Sequence, residues 1–363
     1  MGQHSNKPID DTTERIERVS IKPTHTGPLS STVDDAFVEK CQNILLAGSC
    51  GDALGKWTEF VPTLDAIESS WPGGLRGFDQ VERRLHGAPP PYTDDTQMSL
   101  LVLHTLIKMR REQSDINLIC TSLAEAFATT WLDDPQTPSR MPGNACLSAS
   151  NLLRERLPAR PDPAWWKAGA PGAGGCGAVM RAYPFALVYA DQPEFAVRAA
   201  AEHGTITHGA ALSSAATAAF VAGVLAGIHG KDCPAMVTAM VQAAETYDHE
   251  TAAMIESAAA KGADPSITQS AVLGSDNSNP FPGQLRGWAG HEAIAAAAFL
   301  LARHGSDAEA AVVAGANTPG DSDSIASVAG VLSAAAGGVM PEKWRAVEGS
   351  GEIAQLVEEM ISA

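Results

Sequence analysis

Two short stretches of this chain carry oxygen donors at a density suited to metal chemistry. In Tyr92-Thr-Asp-Asp-Thr-Gln97, two carboxylates and two hydroxyls fall on four consecutive residues, Thr93 to Thr96. The preceding Gly87-Ala-Pro-Pro-Pro91 excludes helix, and Met98, Leu101, Val102, Leu106 and Met109 follow at helical spacing, so the cluster sits at a helix start. Helix capping needs one such side chain. Adjacent like charges repel unless a cation lies between them. Gly320-Asp-Ser-Asp-Ser324 repeats the layout ahead of Ile325, Val328, Ala329, Val331 and Leu332. An EF-hand loop would need glycine at its sixth position and glutamate at its twelfth, where this chain has Ala326 and Leu332.

Taken together, Glu59, Asp94, Asp95, Asp321 and Asp323 supply five carboxylates, with Thr93 and Ser324 as neutral donors. Two divalent ions would bring four positive charges against those five negative ones. All-oxygen ligation favours Mg²⁺, Mn²⁺ or Ca²⁺ over zinc, and paired ions activate water and orient substrate oxygens. Asp52 has two readings: a hydrogen-bonded core aspartate, or a partner of Glu59 on one face if its helix continues through Trp57.

The elements that must position these groups are helical. A helix begins near Asp34-Asp35 and runs into Gly48-Ser-Cys-Gly-Asp-Ala-Leu-Gly55, where Gly48, Gly51 and Gly55 share a face and allow close backbone packing. Residues 61–91 read as a Pro/Gly-rich loop, 96–111 and 115–131 as helices, and 158–177 as loop again. Helical patterns then run to the end, broken near 262–287. No strand alternation is visible. The fold class expected is all-α, a single compact multi-helix domain over 34–363. Residues 1–33, polar and without periodicity, read as a flexible tail. The uncharged run Gly209 to Ile228 is long enough to span a bilayer, but its large apolar residues form one stripe, so it reads as a buried core helix.

The formal net charge is −17 and no Lys/Arg run could track a phosphate backbone. That composition disfavours nucleic acid as a partner except as a modified acceptor. The six cysteines fit neither a zinc site nor a disulfide framework. With no apolar leader segment, the expected location is cytoplasmic, with no membrane partner.

Gly51-Asp-Ala-Leu-Gly55, Tyr92 to Met98, Arg140-Met-Pro-Gly-Asn144, Gly175-Cys-Gly-Ala-Val-Met-Arg181, Ile206-Thr-His208 and Gly320 to Ser324, in that order, resemble the ADP-ribosylglycohydrolases, relatives of the dinitrogenase reductase-activating glycohydrolase. The resemblance spans about residues 36 to 345. It implies an all-α protein with a di-metal cleft holding two Mg²⁺ or Mn²⁺ ions. The implied activity is hydrolysis of the bond between C1 of the distal ribose of ADP-ribose and an acceptor, an ADP-ribosylated protein or small molecule, with release of ADP-ribose. Carried over by motif, the metal ligands are Thr93, Asp94, Asp95, Asp321, Asp323 and Ser324. Asp95 and Glu59 are candidates for the catalytic base. Glu59, Gly175, Cys176, Gly177, Met180, Arg181 and His208 would bind substrate, the glycine loop through its backbone N–H groups; Trp288 would stack on a base or ribose, or lie buried in the core. His208 has a second reading as a cap of the 209–228 helix. Several relatives carry Asn where this chain has Cys176, a weaker hydrogen-bond donor. The Asp-Ser-Asp-Ser and Gly-Cys-Gly forms resemble the arginine-type branch. Two other classes remain compatible with these residues: a non-catalytic ADP-ribose-binding or structural member of the fold, and a different metal-dependent phosphohydrolase.

Overall fold

The computed structural model describes residues 22–23 and 35–363; the expected N-terminal tail lies outside the described residues apart from Lys22 and Pro23. Twelve helices of nine residues or more account for most of the described chain: α1 (Asp35–Gly55), α2 (Asp94–Arg111), α3 (Ile116–Ala126), α4 (Asn144–Arg156), α5 (Pro193–Gly204), α6 (Ala211–Ile228), α7 (Cys233–Glu245), α8 (His249–Ala263), α9 (Gly290–His304), α10 (Ala308–Ala316), α11 (Ser322–Ala335) and α12 (Ser350–Ile361). Among the described residues, β pairing is confined to three isolated bridges. One hydrophobic cluster runs through the whole helical body, in agreement with the all-α, single-domain expectation.

The α1–α11 pair is the most extensive helix contact, and glycine makes it possible. A Cβ on Gly51 would lie 2.4 Å from the Ala326 backbone, and one on Gly55 would lie 2.4 Å from Asp323 Cα. The backbones meet without side chains between them. This seam sets the depth at which the first residues of α11 enter the cleft.

Helix α6 is long and apolar enough to cross a membrane, and 72% of it is buried inside the protein. It packs against α5, α7, α9 and α11, so its apolar surface is already covered.

The boundaries depart from the sequence reading at two informative places. α1 stops at Gly55 instead of continuing through Trp57, because the chain turns over the start of α11. In that turn, Thr58 Oγ1 donates to the Ala316 carbonyl at 2.5 Å, and Ser322 Oγ donates to the Gly55 carbonyl at 2.9 Å. Glu59 therefore reaches the site on a turn, not on a helix face shared with Asp52. The helix expected over 115–131 ends its regular part at Ala126 and closes with a π-helical turn, Phe127–Trp131.

Candidate metal centre and cleft

The two acidic stretches are both helix starts, as their spacing predicts, and the fold places them against each other. Asp94 and Asp95 lie in the first turn of α2; Asp321 immediately precedes α11 without a side-chain cap bond, and Asp323 lies in its first turn. Ser324 Oγ donates to Asp95 Oδ2 at 2.9 Å, which joins the two clusters directly. Oxygens of Glu59, Asp321 and Asp323 lie within 4.8 Å of one another. Glu59, Asp94, Asp95, Asp321, Asp323 and Ser324 all line one cleft of about 410 Å³.

Asp52 is the hydrogen-bonded core aspartate. It is fully buried, its two oxygens accept from the backbone N–H groups of Thr93 (2.8 Å) and Thr96 (2.9 Å), and it thereby caps α2 from outside the helix. Thr93 is likewise committed to the cap: it is fully buried, its hydroxyl accepts from the Asp95 N–H at 3.3 Å, and it does not line the cleft.

The electrostatics of the cluster are those of crowded carboxylates. Burial, and next the charge of Asp323, raises Asp94, Asp95 and Asp321 well above the usual carboxylate range. Glu59 is pushed up to about 10 by burial and then by Asp323, Asp321 and Asp94. Asp52 rises to about 6 by burial and then Asp323. Among the described residues, no lysine, arginine or histidine forms an ion pair with any of the five cleft carboxylates. Glu59 Oε2 is shielded from solvent and has no hydrogen-bond partner there. A buried carboxylate oxygen without a partner is costly. This all-oxygen donor set, with its orphaned oxygen and its unbalanced charge, fits hard divalent cations.

The opposite wall is the glycine loop. The Cys176 N–H donates to the Trp288 carbonyl at 3.1 Å and the Gly290 N–H to the Gly174 carbonyl at 2.9 Å. The Cys176 amide is therefore tied to the chain, so within this loop that one N–H is not available to a ligand. Its thiol donates to Asp321 Oδ2 at 2.9 Å, which puts a sulfur beside the carboxylates. Gly175, Gly177, Met180 and His208 line the cleft.

Arg181 does not. It is fully buried beneath the loop, so direct substrate contact is corrected to a supporting position. Its Nη1 donates to the Gly177 carbonyl at 2.9 Å, Nη2 to Thr207 Oγ1 at 2.7 Å and Nε to His203 Nε2 at 2.9 Å, while Phe127 lies 4.5 Å below the guanidinium. His208 does not cap α6, whose N-cap is Ala210 with no side-chain hydrogen bond.

At the mouth, Trp288 is half-buried and stacks on Phe60, with ring centroids 5.5 Å apart and planes at 20°. Phe60 is 60% exposed and sits at φ +63°, a region costly for a bulky residue. Met141, 48% exposed, adopts the same φ on the other rim. The sequence carries no local signal for either. Asn144 also lines the cleft; its motif marks the segment, although not the role.

A family model described as "ADP-ribosylglycohydrolase" matches residues 33–363. A curated relative from Archaeoglobus fulgidus, described as "Uncharacterized protein", is 25% identical over 316 residues, covering 84% of this chain and 90% of its own. A solved structure named "ADP-ribosylglycohydrolase-related protein complex" aligns with a TM-score of 0.66 at 21% identity, over 91% of this chain and 100% of that one. At that identity the likeness speaks for the fold alone.

Proposed function

The chain belongs to the ADP-ribosylglycohydrolase family, and on that premise we propose that it is a metal-dependent hydrolase of the bond between C1 of the distal ribose of ADP-ribose and an acceptor. The observation that carries this reading is the convergence of the two acidic helix starts, joined by the 2.9 Å contact from Ser324 Oγ to Asp95 Oδ2 beside Glu59. The acceptor proposed is an arginine-type N-glycoside on a protein or small molecule.

Asp94, Asp95, Asp321, Asp323 and Ser324 would hold two Mg²⁺ or Mn²⁺ ions, with Glu59 at their edge. When bound, the ions supply positive charge that holds the ribose hydroxyls and polarises a water. The chain's own groups do the rest. With the charges that push Glu59 up offset by the ions, its Oε2, a buried carboxylate oxygen without a partner among the described residues, is the better placed base for the attacking water. Asp95 already accepts a hydrogen bond from Ser324, which suits it to ligation and orientation. As water adds to C1, the C1–acceptor bond breaks and the acceptor leaves with a proton. Phe60 and Trp288 narrow the mouth next to Glu59 and exclude bulk water from that side.

The test is a panel of ADP-ribosylated acceptors, incubated with Mg²⁺ or with chelator and read by mass spectrometry. Release of intact ADP-ribose only with metal is expected. Release of inorganic phosphate would instead identify a phosphohydrolase, and binding of ADP-ribose without turnover on any acceptor would identify a binding protein. In calorimetry with Mg²⁺, ADP-ribose should bind more tightly than AMP, which lacks the distal ribose.

A further inference from the structure

The hydrogen bonds beneath the glycine loop have a direction fixed by chemistry. A guanidinium can only donate. Arg181 Nη2 donates to Thr207 Oγ1 at 2.7 Å, so the Thr207 hydroxyl accepts there and retains its own proton to give. Two groups stand ready to receive it. Cys146 Sγ is a weak acceptor and already receives Arg181 Nη1 at 3.4 Å. His208 Nδ1, at 2.8 Å, is the stronger acceptor. The stronger acceptor favours sending the Thr207 proton to Nδ1, which leaves the imidazole's own proton on Nε2.

That second nitrogen faces the cleft. His208 lines the cavity, and Nε2 has no partner among the described residues. A Cβ on Gly175 would stand 3.2 Å from Nε2, and one on Gly177 would stand 3.1 Å from the neighbouring Cε1. The glycines leave the ring edge open. The backbone is fixed too, since the His208 N–H donates to the Gly204 carbonyl at 2.9 Å. Burial, and then the Arg181 charge, holds His208 down to about 3, so the ring stays neutral. Arg181 puts a cation beneath this stretch of the cleft, while the carboxylate of Asp321 is tied to Cys176. An anionic oxygen belongs on this side.

We propose that Arg181 and Thr207 are positioning residues that lock His208 as the Nε2–H tautomer and so present one fixed N–H donor to a phosphate oxygen of the nucleotide ligand. The identity of that ligand rests on the function proposed above; the lock itself does not.

Two-bond ¹H–¹⁵N spectra of the full-length protein report the tautomer, with His208→Gln identifying the signal. The wild type and Thr207→Ser should show a single Nε2–H form. Thr207→Val, which removes the hydroxyl, should show a mixture. ADP-ribose affinity, measured by calorimetry with Mg²⁺, should fall roughly tenfold in Thr207→Val, the loss of one well-oriented hydrogen bond to a charged group. Thr207→Ser should stay within about twofold of wild type, a rescue that a packing role for the Thr methyl would not give. An Nδ1–H tautomer in the wild type overturns the proposal. So does a Thr207→Val protein that keeps both tautomer and affinity. Should Thr207→Val not fold, the wild-type spectrum and the Thr207→Ser affinity decide alone. Failure of ADP-ribose to bind the wild type would sink the functional reading and the named ligand, and the tautomer spectrum would still judge the lock.

Discussion

The two walls of the cleft bury charge in opposite ways. On one side, five carboxylates crowd together with no ion-pair partner among the described residues, and burial and mutual repulsion favour the neutral forms of Glu59, Asp94, Asp95 and Asp321. On the other, one guanidinium is fully buried, yet Gly177, Thr207 and His203 all accept hydrogen bonds from it. The guanidinium has its hydrogen-bond partners as the chain folds it. The carboxylates have no counter-charge among the described residues. A buried charge whose hydrogen bonds are satisfied is architecture; a set of them left unsatisfied is a binding site.

The sharpest way to break that contrast is to remove a carboxylate. Asp94→Ala or Asp323→Ala should reduce ADP-ribosyl hydrolysis to background, with the helical circular dichroism unchanged. Full activity of either variant in metal-replete buffer would mean that the two clusters do not form one site.

On the other wall the effect should fall on stability. Arg181→Met leaves the Gly177, Thr207 and His203 acceptors without this donor and should destabilise the fold by about 2–4 kcal/mol, measured by denaturant unfolding. A stabilised variant would show instead that the buried guanidinium costs more than its partners return, and the contrast between the walls would vanish.

The remaining effects concern metal and proton linkage. Mg²⁺ or Mn²⁺ at a hundredfold excess over Kd should stabilise by about 2.7 kcal/mol per site, and EDTA should remove the gain. Without metal, folded Asp52, Glu59, Asp94, Asp95 and Asp321 hold protons more tightly than in the unfolded chain, so their contribution to stability falls as pH rises. The fall begins near the unfolded values and continues through about 6 for Asp52 and about 10 for Glu59. Bound metal should flatten that slope. Asp323→Asn removes one repelling charge together with one ligand. Its metal-free form should melt at or above wild type, and its gain from metal should shrink. A wild-type response from this variant would reduce Asp323 to a helix-start residue and place the metal elsewhere.

The helix starts at Asp94 and Ser322 were legible because Pro/Gly segments precede them and apolar residues follow at helical spacing. Asp52 could be read as a core aspartate from its apolar neighbours. Glu59 could be assigned to the acidic site, but not the turn that carries it, since the end of α1 depends on where Gly55 meets Asp323, a contact far away in sequence. Arg181 shows the limit of a motif: it marks the loop, although not the side of the loop to which a long side chain turns. Phe60 and Met141 escaped notice because a left-handed backbone at an exposed, bulky residue is imposed by tertiary structure and leaves no trace in composition.

The glycine seam between α1 and α11 also governs how the protein must be made. The two helices are separated by roughly 270 residues, and a ribosome adding 5–20 residues per second takes on the order of 15–50 s to cross that interval. Throughout it, the side-chain-free face of α1 has no mate, and the α2 acids have not met those of α11. The charge cluster cannot assemble until roughly the last eighth of the chain arrives, because its second half begins at Asp321. Its repulsion is met when this seam closes, the step of biosynthesis at which a bound cation would count.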